Sequence, residues 1–224
     1  GIVNSLIAHQ AAIAYACVNW RTDMTRTLLL ASELTSSIPK LSTFLVGEGR
    51  NLLFIPTAAT GEGWTPEYVS HVLPFERMGF KVVSHDLAKG RNPLPEGYAI
   101  EDFYAVYVCG GDTFFLMSHM RRTCFDEIVK KAIDDGLVYI GSSAGAVAAT
   151  PDIGYADMID DRAQGDGDDR GLGLVGFSIL PHLDHPTMGD TVMRCFTDWS
   201  EPESVYGLKD SDVILIEGPR IRML

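Results

Sequence analysis

Two stretches of this chain gather residue types that do chemistry. YIGSSAGAVAAT, from Tyr139 to Thr150, sets two serines among glycines and alanines where an apolar run ends. PHLDHP, from Pro181 to Pro186, places His182, Asp184 and His185 directly after the apolar stretch GFSIL. A serine hydroxyl is a weak nucleophile until a base takes its proton, and that base is normally a histidine oriented by a carboxylate. The constellation to look for is one raised serine, one imidazole and one acid sharing a cleft.

Gly141-Ser142-Ser143-Ala144-Gly145 fits G-x-S-x-G, a pattern that works where a strand turns sharply into a helix. Only Ser143 has glycines two residues away on both sides, which makes it the candidate nucleophile over Ser142. The turn strains the backbone, so its neighbours must be small, and the amide of Ala144 opens a helix N-terminus toward an attacked carbonyl. Of the other histidines, His9 lies in the N-terminal stretch, His71 and His119 fall in helical segments where surface roles are commoner, and His85 closes a distant strand. His182 follows a strand at the end where an open parallel sheet forms its crevice, with His185 as near competitor. His182, Asp184 and His185 also have the character of metal ligands. No second cluster completes a coordination shell, so the reading is no metal and no cofactor.

Short apolar runs alternate with helical segments from Met24 onward. TRTLLLAS, NLLFIPTA, FKVVSHDL, DFYAVYVC, LVYIGSS, GFSILPH, SVYGL and VILIEG read as strands. Helices are expected over Ile38–Val46, over Pro66–Met78 with Thr65 as cap and Gly79 as stop, after an Asp112 or Thr113 cap, over Cys124–Asp135 before Gly136, and from Met188 to Trp199. Strands with little polar alternation, separated by helices, imply an α/β domain whose mainly parallel sheet is covered on both faces. The turns CGGDT and GSSAG then lie at strand ends facing one crevice. Asp157–Gly173, DMIDDRAQGDGDDRGLG, reads as a solvated polar insertion, with a flap over the site as the alternative. An EF-hand register from Asp166 puts Arg170 and Phe177 at ligand positions, which excludes calcium there. GEGW at Gly61–Trp64 lacks the spacing of a phosphate loop.

With 224 residues, 46% hydrophobic and 21% charged, the chain has the makings of one globular domain. A net charge of −12 argues against nucleic acid and against an anionic membrane as partner. The four cysteines, Cys17, Cys109, Cys124 and Cys195, are widely spaced, as expected of reduced thiols in a cytoplasmic protein, with Cys109 a core residue. Residues 1–23 are apolar but lack a basic n-region, and are too short a run to span a bilayer. They are read as an extension, a loose helix at most, ahead of a single domain over residues 24–224.

YIGSSAGA, with VCGGDTFFL before it and ILPHLDHP after it, resembles the peptidase E (α-aspartyl dipeptidase) family of serine peptidases, which is related to cyanophycinase. The resemblance runs from about Met24 to Leu224. It implies a flavodoxin-like fold of the class I glutamine amidotransferase type, with Ser143 as nucleophile, His182 as base, and the amides of Ala144, Gly110 and Gly111 as oxyanion donors. For the acid it implies Asp210, then Asp157, with Asp212 two residues beyond the first. The implied activity is serine-type hydrolysis of dipeptides or short peptides by a monomer or homodimer. Where the aspartyl-selective enzyme carries an arginine, this chain has Val192. Arg194 and Asp112 are the substrate-binding candidates left, and Asp-X selectivity does not carry over. Two other readings share the motif: a serine esterase of the α/β-hydrolase type, whose acid would be Asp157, and a non-catalytic small-molecule binding domain.

Overall fold

The unbroken apolar strands reflect a sheet sealed on both sides. In β1 (Thr27–Ala31), Leu28 and Leu30 enter one core while Leu29 and Ala31 enter the other, and all four are buried. Burying a leucine of this kind contributes roughly 1.5–3 kcal/mol. The computed structural model describes residues 26–198 and 204–224, so residues 1–23 and Trp199 lie outside the described residues. The remaining strands are β2 (Asn51–Ile55), β3 (Lys81–Ser84), β4 (Phe103–Val108), β5 (Val138–Ser142), β6 (Ser178–Leu180), β7 (Val205–Gly207), β8 (Val213–Glu217) and β9 (Arg220–Met223). Seven of them form one sheet in the order β3-β2-β4-β5-β1-β8-β9. The β3-to-β1 part is parallel, and β8 and β9 add an antiparallel edge. This is the mainly parallel, two-faced α/β architecture that the strand pattern implies.

The helices are α1 (Leu34–Leu41), α2 (Thr57–Gly61), α3 (Leu73–Arg77), α4 (Thr113–Thr123), α5 (Phe125–Asp134), α6 (Ala144–Ala148) and α7 (Gly189–Asp198). Among the described residues none is long and apolar enough to cross a membrane. Two begin elsewhere than expected. The Glu33 carboxylate accepts from the amides of Thr35 and Ser36, starting α1 at Leu34 and not at Ile38. Pro74 has no N–H to donate, and the segment opens with a π-helical turn at Tyr68–Val72, with Glu67 rather than Thr65 before it. Asp112 does cap α4, accepting from Phe115 N at 2.7 Å.

SVYGL does not join the main sheet. Its β7 pairs in parallel with β6 as a separate two-stranded ribbon. The Asp157–Gly173 insertion is likewise no free loop. Arg121 of α4 binds the Asp166 carboxylate and the carbonyls of Asp168 and Arg170, while Arg162 binds Asp169.

Between β5 and α6 the chain passes from strand to helix hard against β4. A Cβ on Gly145 would stand 2.1 Å from the carbonyl oxygen of Val108, and one on Gly141 would stand 2.4 Å from the carbonyl oxygen of Gly145. The glycines are therefore demanded by backbone contact, whatever the serine does. Gly145→Ala is expected to lower stability by about 3 kcal/mol, as overpacking against rigid backbone does. Urea unfolding would show it as a lower midpoint at unchanged slope. An unshifted midpoint would mean that α6 can lift away from β4.

Candidate active site

Ser143 sits on that turn at φ 49°, ψ −115°, outside the regions a non-glycine residue normally occupies. Its amide donates to Ala31 O at the end of β1, at 3.1 Å. Its Oγ lies 2.8 Å from Nε2 of His182, and Nδ1 of His182 lies 2.7 Å from Oδ1 of Asp210. The β6–β7 ribbon explains why the last two meet. Leu180 is in register with Gly207, and the pairing continues as Leu208 N donates to Leu180 O and Leu183 N to Leu208 O. His182 and Asp210 thus leave the same end of two adjacent parallel strands. His182 is itself at φ 70°, a second strained residue in the cluster.

Ser32, buried at the end of β1, receives the His182 amide on its Oγ at 2.8 Å and lies 3.5 Å from Asp210 Oδ1. The Asp210 backbone is held in turn. Its amide donates to Asp184 Oδ1 at 2.7 Å, and its carbonyl accepts from Glu33 N and Ser37 Oγ. Asp184 is therefore turned to Asp210, while His185 Nδ1 accepts from Thr187 N. Among the described residues no three His, Cys, Asp or Glu side chains are grouped to hold a metal.

Several sequence candidates lie elsewhere. Asp157 is exposed and paired with Arg162, and Asp212 accepts from Lys209 N, so neither faces the imidazole. Asp112 is 2% exposed with both oxygens engaged, by Phe115 N and Asp161 N, which leaves it no group to offer a substrate. Arg194 is exposed and does not line the cleft, because α7 buries Gly189 and Val192 and the residue two beyond Val192 points the opposite way. Gly110 does meet the site: a Cβ there would come within 3.0 Å of Ser143 Cβ. Cys109 is buried, and burial pushes its thiol up to about 12, far from reactive. Cys124 and Cys195 are free thiols.

The cleft holding Ser143 and His182 has a volume of about 330 Å³. The 157–173 insertion, expected to be solvated, supplies Met158, Ile159 and Asp160 to its wall. His71, expected at the surface, also lines it, stacked on Tyr107, to whose hydroxyl its Nδ1 bonds at 3.0 Å. Tyr107 bonds in turn to Ser142 Oγ. Burial lowers the His71 pKa, against the opposing charges of Glu33 and Glu67. The only clue to Ser32, missed in the sequence, is that it ends a buried strand at the crevice side. Asp160 carries no motif at all.

Burial raises the Asp160 carboxyl from 3.8 to about 6, and the charges of Asp112 and Glu62 push it the same way, against the lowering pull of Thr113. The folded state therefore holds this proton more tightly than the unfolded chain. Its contribution favours folding below about pH 4 and is lost as pH rises through about 6, on the order of 2–3 kcal/mol. Asp160→Asn keeps an acceptor for Thr113 N and removes the charge. Its Tm is expected to exceed the parent's at pH 7.5 and to match it at pH 4. A lower Tm at pH 7.5 would show that the fold stabilises the carboxylate.

The model of peptidase family S51 matches residues 28–224. The uncharacterized peptidase Lmo0363 of Listeria monocytogenes is 30% identical over 200 residues, 88% of this chain and 97% of its own. Peptidase E of Nostoc sp. is 28% identical over 221 residues, 90% of this chain and 86% of its own. The crystal structure of a protein assigned as peptidase E from Listeria monocytogenes superposes with a TM-score of 0.78 at 27% identity, covering 89% of this chain and 98% of that one. With the family pattern extending across both the sheet and the Ser143–His182 cleft, the chain belongs to peptidase family S51 and is a serine peptidase.

Proposed function

We propose that this peptidase hydrolyses dipeptides or short peptides through an acyl-enzyme on Ser143, with His182 as base and Asp210 as the acid that orients it. The observation that carries the reading is the continuous chain from Ser143 Oγ to His182 Nε2 and from His182 Nδ1 to Asp210 Oδ1. In the neutral enzyme His182 donates its Nδ1–H to Asp210, leaving Nε2 free to accept the serine proton. Ser143 Oγ then bonds to the scissile carbonyl carbon as that proton moves to Nε2. The resulting oxyanion lies toward the amides of Ala144 and of the Gly110-Gly111 turn, where fixed donors stabilise developing charge. The C–N bond breaks as His182 returns the proton to the departing amine. Water, giving its own proton to His182, releases the acyl group as a carboxylate and restores Ser143.

The α/β-hydrolase esterase reading needs Asp157 as acid, and Asp157 faces Arg162. A Ser–His–Asp order in the chain favours the peptidase. Ser32 acts through His182 and is a positioning residue.

Ser143→Ala is expected to lose about 10⁴-fold or more in kcat at unchanged fold, and Asp210→Asn a comparable factor by favouring the wrong tautomer. Dipeptide hydrolysis at the parent rate by Ser143→Ala would falsify the assignment. Ser32→Ala should lower kcat about 10- to 100-fold with KM little changed, through a misplaced imidazole. A change confined to KM would place Ser32 in substrate binding instead.

A further inference from the structure

Apart from Ser143 and His182, the ionisable side chains lining the cleft are Glu33, Glu62, Asp160, His71 and Tyr155, with no lysine or arginine among the described residues that line it. Glu33 is committed to the amides that start α1, and Glu62 accepts from Trp64 Nε1. Asp160 is different. One oxygen, Oδ2, accepts from Thr113 N at 2.9 Å, while Oδ1 has no hydrogen-bond partner among the described residues. Beside it the Thr113 hydroxyl, on a residue only 1% exposed that also lines the cleft, has no partner either. A polar oxygen drawn out of water without a donor costs free energy unless something arrives to satisfy it. The Thr113 hydroxyl can turn its own hydrogen toward the carboxylate, so the oxygen left to answer is Asp160 Oδ1. It lies at the wall of an anionic, largely apolar cleft without a lysine or arginine among the described residues that line it, and a donor that carries positive charge suits it best.

We propose that the cleft takes peptides by a cationic group, an α-ammonium or a lysine or arginine side chain, and that Asp160 with the Thr113 hydroxyl is the receptor for it. This rests on the Ser143 cleft being the substrate site. Where the group bound is a side chain, this inverts the charge selection of an aspartyl dipeptidase, for which the cleft wall among the described residues offers no lysine or arginine and α7 buries Val192. A purely structural Asp160 would accept from the first amide of α4 and complement the positive end of that helix, tasks that use Oδ2 and leave Oδ1 without a role.

Binding to Ser143→Ala, which leaves the peptide intact, tests the proposal apart from catalysis. Titration calorimetry at pH 7.5 compares Ala-Ala with N-acetyl-Ala-Ala, and Lys-Ala with Nε-acetyl-Lys-Ala, on Ser143→Ala and on Ser143→Ala/Asp160→Asn. In at least one pair, removing the positive charge should weaken binding about tenfold when Asp160 is present, as a charged hydrogen bond of this kind is worth. That dependence should vanish in the Asp160→Asn background. A loss in the first pair assigns the receptor to the α-ammonium, and a loss in the second to the side chain. If neither pair changes, or if the loss persists without the Asp160 carboxylate, the receptor is not there. Failure of the parent enzyme to hydrolyse any peptide would count against the nucleophile and leave these binding results standing.

Discussion

An imidazole is useful as a base only when both of its nitrogens are committed, one to the hydroxyl it will deprotonate and the other to a carboxylate. The structure meets this constraint with two sheets. The main sheet raises Ser143 at the end of β5, and the β6–β7 ribbon delivers His182 and Asp210 together from neighbouring strands. Ser32, at the end of β1, joins the two systems by holding the His182 amide. Because β1 is also the strand beside β5 and the acceptor of the Ser143 amide, the end of one strand sets the distance between Ser143 and His182, the proposed nucleophile and base. The strained backbone at both Ser143 and His182 is held in place by these hydrogen bonds and by packing against β4.

This arrangement explains what could be read from the chain alone. Ser143 is encoded locally: a turn whose glycines must let α6 touch β4 leaves a short signature in the sequence. His182 is legible for a related reason, since it follows directly on a strand end. The carboxylate that meets His182 is not, because the position of Asp210 depends on β7 pairing with β6 across the intervening helix, a contact that spacing along the chain does not reveal. Asp157 and Asp210 are equivalent as residues, and only the ribbon distinguishes them. Arg194 fails by a simple rotation, being on the solvent side of a helix whose inner face is set by Val192.

The polar insertion is the segment least legible from its letters. Its aspartates look solvated as a run, yet Arg121 and Arg162 draw several of them into ion pairs that fold the segment onto α4. Once anchored, it turns its few apolar residues and Asp160 inward as a wall of the cleft. Charge density in a sequence reports solvation only when the countercharges are absent from the neighbouring helix, and here they come from α4 and from within the insertion itself.

Asp160 also shows why stability and function need not agree at one residue. A carboxyl whose pKa is raised by burial weakens the fold at neutral pH, although its charge complements the N-terminus of α4. Packing alone gives no reason for the charge, in contrast to Asp112, whose two oxygens are both satisfied by backbone amides. The difference between these two neighbouring acids is one unmet hydrogen bond. That oxygen lies at the wall of the cleft that also holds Ser143 and His182, so under the proposed mechanism the partner it lacks would come from the peptide.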